Sequence, residues 1–165
     1  MEDLSKKRPC VMIVDHDLDF GIKLADWLAA RGYQAVLVRS IETAIDECRD
    51  LHPQVVFIGL SRSEPEAQLN LRGLFRVIET TCPLVPVITM GYRASEKLIQ
   101  VVADGAVRQV LVKPIGFTYI GRLLQAELNR ATASLEVRNR EAGSQDGWAV
   151  ENLTYEQLVH REATT

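Results

Sequence analysis

The charged side chains best placed to do chemistry stand directly after short apolar runs of this sequence. Asp15, His16 and Asp17 follow the first of these runs, and Lys113 follows the last. Neighbouring carboxylates could hold a metal ion, with the imidazole as a further ligand, while a lysine ammonium could bind an anion or a small metabolite. Gly59 ends another apolar run, and glycine supplies no nucleophilic atom. The pattern indicates an acidic site with one cation and no nucleophile at position 59.

Short apolar runs rich in β-branched residues carry these side chains, and segments of helical periodicity separate the runs. Most runs are apolar on both faces, as strands covered by helices on each side should be. This order predicts an α/β fold with a doubly wound, five-stranded parallel sheet, whose reactive groups gather beyond the carboxyl ends of the strands. The predicted strands are Val11–Val14, Gln34–Val38, Val55–Leu60, Val85–Met90 and Val110–Val112.

Helical periodicity predicts a helix after each strand. The first carries Phe20 and Trp27 on its apolar stripe, and Asp17 and Asp19 are interpreted as caps at the positive end of its dipole. Ser40 is the expected N-cap of the second helix. The first helix is predicted to end at Gly32, and the second to lie between Ser40 and Pro53. The third is predicted over Ala67–Thr80 and the fourth from Ser95 to Gly105. The fifth is predicted to begin near Phe117 or Thr118.

Length and composition favour one domain followed by a tail. The chain has 165 residues, of which 47% are hydrophobic and 25% are charged, enough for one complete core. We expect an N-terminal arm at residues 1–8 and the domain at residues 9–130. An extension of the fifth helix is expected at residues 131–141, and a linker with a tail at residues 142–165.

Two segments after the domain could contact a partner. In the fifth helix, Leu124, Leu128, Ala131 and Leu135 have the spacing of a short seam with another helix, and a frayed, solvated helix end explains the pattern equally well. The tail contains a short helix signal that could dock on this domain or on a partner, with a disordered tail as the alternative. Its candidate contact residues are Trp148, Leu153, Tyr155 and Leu158.

Charge and cysteine content exclude several classes of protein. A net charge of −3 and a pI near 5.6 leave no excess positive charge for a phosphate backbone, so no direct nucleic-acid partner is expected. Cys10, Cys48 and Cys82 lack close pairing, which fits a reducing cytoplasm, and all three are interpreted as buried small hydrophobic residues. The first apolar stretch is too short for a signal peptide or a membrane span, so a cytoplasmic protein without membrane insertion is expected.

Several short motifs fall at the ends of the predicted strands. Together they resemble the receiver domains of two-component response regulators, over roughly residues 9 to 130. The resemblance implies a flavodoxin-like (βα)5 fold and a role in bacterial signal transduction. The motifs are Val14-Asp15-His16-Asp17, the segment Pro53 to Gly59, Pro86-Val87-Ile88, Gly105-Ala106 and the segment Leu111 to Ile115.

Most of the family's site residues are replaced in this sequence. Asp15 matches the first of two adjacent acidic residues that hold Mg²⁺ in the family, but His16 stands where the second should be. Gly59 stands at the phosphoacceptor aspartate, and Gly91 at the switch Ser or Thr. Val110 stands where an aromatic switch residue usually lies. The resemblance therefore implies the receiver fold without its phosphate chemistry.

Lys113 and Pro114 match the family's Lys-Pro pair, so a cis peptide bond is expected between them. Lys113 is expected to form an ion pair with Asp15 or Asp17, and the alternative is an anion bound by Lys113 with nearby backbone amides. A stable metal site is not expected, Asp15 and Asp17 being weak candidates. Neither a cofactor nor enzymatic activity is expected.

The function implied by these positions is that of a pseudo-receiver, a phosphorylation-independent protein-protein interaction or regulatory module. Two alternatives stay open: a small-ligand sensor that uses the acidic pocket, and a phosphorylatable response regulator whose acceptor is displaced, for example to Ser61 or Thr89 by a slip of strand register. The expected partner is another signalling protein or effector, or a second copy in a homodimer. The family's interaction face, carried over to this sequence, includes Lys97, Arg108, Gln109, Val110, Tyr119 and Arg122.

Overall fold

Strands and helices alternate along the chain. The computed structural model describes residues 7–60, 65–91 and 107–143, with the backbone course alone for residues 65–70 and 142–143. The elements are β1 (Cys10–Val14), α1 (Leu18–Ala29), β2 (Gln34–Val38), α2 (Ile41–Leu51), β3 (Val55–Gly59), α3 (Pro65–Thr81), β4 (Val87–Gly91), β5 (Gln109–Val112) and the long helix (Phe117–Gly143).

The strands form one sheet of five, in the order β2-β1-β3-β4-β5. Every pairing in the sheet is parallel. Val14, the last residue of β1, pairs with Val38 at the end of β2 and with Ile58 near the end of β3. The carboxyl ends of the strands therefore lie level at one edge. The predicted α/β fold with a doubly wound parallel sheet is confirmed.

Alternate residues of each strand point to opposite faces of the sheet, so the core has two parts. Met12 and Ile58 belong to the part that packs against α2 and α3. Ile13 and Phe57 belong to the part that packs against α1 and the long helix. Burying one such side chain contributes roughly 1.5–3 kcal/mol of transfer free energy, and both layers together fix the positions of the strand ends.

Side-chain caps begin two of the helices, as the sequence predicted. Asp17 Oδ1 accepts a hydrogen bond from the Phe20 amide at 3.2 Å at the start of α1. Ser40 Oγ accepts one from the Thr43 amide at 3.1 Å at the start of α2. Asp19 lies in the first turn of α1. These caps satisfy amides that have no partner within the helix and so fix where each helix begins.

The fourth strand begins two residues later than predicted. The Val85 amide donates to the Cys82 carbonyl at 3.0 Å, which places Val85 in a turn before β4. The Pro86 carbonyl accepts a hydrogen bond from the Val56 amide at 3.1 Å, although Pro86 itself has no amide hydrogen to donate. Pairing within the strand therefore starts at Val87.

Of the two explanations left open for the apolar spacing on the long helix, a seam with another helix does not hold for the first half. Leu124 is fully buried in the core that faces α1, and Leu128 is partly buried against the same core. Both leucines therefore stabilise the domain itself and are not available to another helix. Leu135 and Val137 are each half exposed on the later part of the helix. A contact between that part and a partner remains a prediction.

The three cysteines differ in their surroundings. Cys10 and Cys48 are buried, as predicted, but Cys82 is partly exposed because it lies in the turn that follows α3. Its Sγ lies 3.9 Å from Nδ1 of His52. Burial, with a smaller effect of Cys82, raises the pKa of the Cys48 thiol to about 11. Cys48 is therefore an unreactive core residue at neutral pH.

The chain divides into two units, Met1–Ala131 and Thr132–Thr165. The domain bounds expected from the sequence remain a prediction. Lys97 with the predicted fourth helix, and the tail residues Trp148, Leu153, Tyr155 and Leu158, lie outside the described residues. Across residues 7–60, 65–91 and 107–143, no helix is both long enough and apolar enough to cross a membrane.

Candidate functional site

The carboxyl ends of β1, β3, β4 and β5 bring together residues that are far apart in the chain. Asp15 directly follows β1, and its amide donates to the Val38 carbonyl at 3.2 Å. Gly59 ends β3, and Gly91 ends β4. The Lys113 amide, directly after β5, donates to the Gly91 carbonyl at 2.6 Å. Parallel strands present their carboxyl ends at one edge, so the sheet itself assembles the predicted site.

Lys113 and Asp15 form a buried ion pair at this edge. The Lys113 ammonium lies 2.8 Å from Asp15 Oδ2, and the two side chains are only 4% and 5% exposed. A second carboxylate oxygen, Asp17 Oδ2, lies 3.9 Å from the same ammonium. The prediction that Lys113 pairs with Asp15 or Asp17 is confirmed, and Asp15 is the closer partner.

Both oxygens of the Asp15 carboxylate accept hydrogen bonds. Oδ1 accepts from the Asp17 amide at 2.9 Å, and Oδ2 accepts from the Lys113 ammonium at 2.8 Å. Asp17 in turn caps α1 through the Phe20 amide. The turn from β1 into α1 therefore folds around the Asp15 carboxylate, which is held from its own chain on one side and from β5 on the other.

An aromatic ring also contacts the Lys113 ammonium. Lys113 Nζ lies 4.2 Å from the centroid of the Phe20 ring, within the range of a cation–π interaction. Phe20 meets Phe117 edge-on at a centroid distance of 5.8 Å, and Phe117 lies 6.0 Å from Trp27. Sequence reasoning placed Phe20 only on an apolar stripe. The available signal was its position three residues after the Asp17 cap, at the same edge of the sheet.

Gly59 leaves room for the carboxylate of Asp15. A Cβ atom at position 59 would overlap Cγ and both carboxylate oxygens of Asp15. Gly32, and not Gly59, is the glycine in the left-handed region among the described residues. Gly59 is therefore notable for the close approach of Asp15 and not for its backbone conformation.

The other predicted site residues have different surroundings. His16 is exposed, whereas Asp15 beside it is buried. Gly91 is buried at the end of β4. Pro114 is exposed, and the peptide bond between Lys113 and Pro114 is cis, as predicted. The structure therefore joins Asp15, Asp17, Gly59, Gly91 and Lys113 at one edge and turns His16 to solvent.

The donors at this edge do not fit a Mg²⁺ ion, the metal that the resemblance implies. Mg²⁺ requires oxygen ligands in near-octahedral geometry. Both Asp15 oxygens already have donors, and the Lys113 ammonium lies within 4 Å of the Asp15 and Asp17 carboxylates, where a cation would have to bind. Gly59 supplies no side-chain oxygen. In the described part of the chain, no group of three His, Cys, Asp or Glu side chains could hold a metal.

The predicted interaction face lies on β5 and the long helix as far as it is described. Arg108, Tyr119 and Arg122 are exposed. Gln109 is half-buried in β5, and Val110 is half-buried and packs against the core that faces α2 and α3. The side chain of Val110 therefore supports the sheet, while the two arginines and the tyrosine are accessible.

Sequence reasoning missed a buried carboxylate on the long helix. Glu127 is 3% exposed, and its Oε1 lies 3.6 Å from Arg108 Nε and 3.6 Å from Arg130 Nη1. These separations are too long for direct hydrogen bonds, and Oε1 has none to the described residues. Glu127 follows Leu124 by three residues and precedes Ala131 by four, so helical periodicity places it on the same side as these apolar residues, and that was the available signal.

Solved structures of response regulators are similar to this chain in fold. No protein-family model matches the chain, and no curated protein matches it. A two-component response regulator from Clostridium difficile is 20% identical with a TM-score of 0.64, covering 74% of this chain and 98% of that one. A CheY-like response regulator receiver domain protein from Methanospirillum hungatei JF-1 is 12% identical with a TM-score of 0.68, covering 78% and 99%.

A longer protein shows the same likeness. NtrX from Brucella abortus, solved in complex with ADP, is 15% identical with a TM-score of 0.70. The match covers 95% of this chain but 34% of the NtrX chain. The chain therefore has the fold of the receiver domains of response regulators.

Proposed function

We propose that this chain is a pseudo-receiver, a domain of receiver fold that binds another signalling protein or effector without being phosphorylated. Its setting would be two-component signal transduction in the bacterial cytoplasm. The similarity of its fold to response regulators supports this class of function. The role requires neither a cofactor nor a catalytic residue.

The position of the Asp15 carboxylate beside Gly59 carries the proposal. Phosphoryl transfer needs a nucleophile in line with the phosphorus and a cation that offsets charge on the transferring oxygens. Residue 59 has no nucleophile, and Asp15 fills the space that a side chain there would need. The Lys113 ammonium, which could stabilise a phosphoryl group, is already neutralised by Asp15 at 2.8 Å.

A phosphorylatable site with a displaced acceptor is the second candidate, because Asp15 is itself a carboxylate beside a lysine. Burial of Asp15 and the hydrogen bonds to both of its oxygens weigh against attack on a phosphodonor. A register slip does not supply Thr89, which is fully buried within β4 between Ile58 and Val110. Ser61 lies outside the described residues.

A small-ligand sensor has less support. The cation expected to hold an anion, Lys113, is buried and paired. An anion would have to displace the Asp15 carboxylate and then satisfy the same ammonium in a buried position, which is costly unless its own desolvation is fully compensated.

The surface we propose for the partner is formed by β5 with the residue before it, Arg108, and by the first turns of the long helix. Arg108, Tyr119 and Arg122 are exposed there. Arginine and tyrosine are enriched among the residues that dominate binding energy at protein interfaces. The partner would be a signalling protein, an effector or a second copy of this chain.

Affinity capture from the native cell tests the proposal. Immobilised wild-type protein should capture the same partner in equal amounts with and without prior treatment with acetyl phosphate and Mg²⁺. The double variant Tyr119→Ala with Arg122→Ala should lose it. The matched control, Arg49→Ala with Arg76→Ala, removes exposed arginines from α2 and α3 and should retain it. A partner captured only after acetyl phosphate treatment would contradict phosphorylation independence.

A further inference from the structure

We infer that this site has room for one carboxylate, that Asp15 restricts position 59 to glycine, and that the resulting Asp15–Lys113 ion pair holds the site closed. The inference goes beyond the proposed function, because it concerns which side chains the site accepts, whether or not a partner binds. Glycine at position 59 then has a structural role, which is to leave space for the Asp15 carboxylate.

The neighbouring strands β1 and β3 bring Asp15 and Gly59 into close contact. Asp15 follows β1, Gly59 ends β3, and the carboxylate of Asp15 lies over the backbone of Gly59. Any side chain at position 59 begins with a Cβ that would overlap three atoms of that carboxylate. Asp15 has a short side chain and is held through both oxygens, so it cannot move aside without losing hydrogen bonds.

The number of charges at this edge also limits what position 59 can carry. The Lys113 side chain is 4% exposed, and its buried ammonium needs one negative charge close by. Asp15 supplies that charge at 2.8 Å, and the partly exposed Asp17 adds a weaker contact at 3.9 Å. A second buried carboxylate from position 59 would face Asp15, and among the described residues Lys113 is the cation paired at this edge. Like charges at such short range cannot both stay ionised at low cost.

Contacts of the aromatic side chains extend from the ion pair to the start of the long helix. Lys113 lies over Phe20, Phe20 meets Phe117, and Phe117 lies beside Trp27. Trp27 also lies close to Gly121, where an added Cβ would meet Cη2 of the indole at 2.6 Å. Closure of the site and the packing of the first turns of the long helix are therefore parts of one contact network.

A double-variant cycle tests the inference through the urea midpoint of unfolding, measured by circular dichroism. Gly59→Ala should lower the midpoint by on the order of 1–2 M, because the new methyl group displaces Asp15 from its 2.8 Å contact with the buried Lys113 ammonium. Asp15→Ala removes all three atoms that the methyl group would overlap. Adding Gly59→Ala to Asp15→Ala should therefore cause no further loss.

A matched glycine gives the control. At Gly73 in α3, an added Cβ would meet Ile45 Cδ1 at 3.7 Å, an ordinary contact, so Gly73→Ala should leave the midpoint unchanged or raise it. A Gly59→Ala protein as stable as wild type would overturn the inference. An equal loss in the presence and in the absence of Asp15 would overturn it as well.

Moving the carboxylate from position 15 to position 59 tests the inference if the alanine variants do not fold. The double variant Asp15→Gly with Gly59→Asp returns one carboxylate to the site from the neighbouring strand. It should have a higher urea midpoint than Asp15→Gly alone, since Lys113 regains a counter-charge. A transferred carboxylate that gives no recovery would overturn the inference, and neither result bears on whether the protein is phosphorylated.

Discussion

Lys113 donates a hydrogen bond to Asp15 at 2.8 Å, although 98 positions of sequence separate the two residues. Their strands, β1 and β5, are not neighbours, because β3 and β4 lie between them in the sheet. The lysine side chain thus joins the ends of two separated strands, and the carboxylate it binds lies against Gly59 at the end of β3. The edge of the sheet where Asp15, Gly59 and Lys113 meet is therefore occupied by a buried ion pair.

Removing the charge of Asp15 should destabilise the protein strongly. Asp15→Asn keeps the shape of the side chain but leaves the Lys113 ammonium buried without its main counter-charge, so we expect a loss of about 3–5 kcal/mol in the free energy of unfolding. Urea denaturation measures this loss. The control, Asp19→Asn, removes an exposed pair with Lys23 and should change stability little. Equal effects of the two substitutions would show that the buried pair has no special energetic role.

Neutralising both partners together should restore much of that loss. Lys113→Met replaces the ammonium by an apolar group of similar length, and replacing a whole buried ion pair is often neutral or stabilising. We therefore expect the double variant Asp15→Asn with Lys113→Met to be more stable than either single variant. The coupling energy from the four unfolding curves should be on the order of 2 kcal/mol or more. Simply additive losses would contradict the ion pair.

The ring of Phe20 should stabilise the folded protein through its contact with the Lys113 ammonium. Phe20→Leu keeps an apolar side chain but removes the cation–π contact, and the expected loss is about 1–2 kcal/mol. The same substitution in a Lys113→Met background should cost clearly less, because no cation remains. Phe75→Leu, in the core that faces α2 and α3, serves as the control and should cost the same in both backgrounds.

Much of the fold was predictable because its determinants are local. The apolar runs are short and bounded, so the strands fell within a few residues of their predicted ends, and Asp17 and Ser40 are caps recognisable from their types. Charge reasoning also predicted the partner of Lys113. These features depend on residue type, period and the general rule that parallel strands expose their reactive groups at one edge.

Other features depend on tertiary packing and had no sequence signal. The overlap of Asp15 with the space at Gly59 follows from the register of β1 beside β3. The alternation of apolar residues in the sequence predicts the two strands but not the distance between individual side-chain atoms at their ends. The contacts of Glu127 with Arg108, directly before β5, and with Arg130 likewise arise only in the folded chain. The spacing of Leu124 fitted a seam with another helix as one of two alternatives, but this leucine is buried in the domain core.

The buried thiol of Cys48 should make the free energy of unfolding decrease at alkaline pH. Burial raises its pKa from 9.0 to about 11, so the folded state keeps a proton that the unfolded state releases. This contribution is fully present below about pH 9 and is lost as the pH rises through about 11. Between about pH 8 and pH 11, wild type should lose roughly 2–3 kcal/mol more than Cys48→Ala, as measured by urea denaturation at each pH. Parallel pH profiles for the two proteins would contradict the raised pKa.

Intact-mass spectrometry after incubation with acetyl phosphate tests the central claim most directly. The protein is incubated with and without Mg²⁺, beside a receiver domain that retains its acceptor aspartate as the positive control. We predict that the control gains the mass of one phosphate and that this protein does not. A Mg²⁺-dependent gain of one phosphate that disappears in Asp15→Asn would contradict the claim and identify Asp15 as a displaced acceptor.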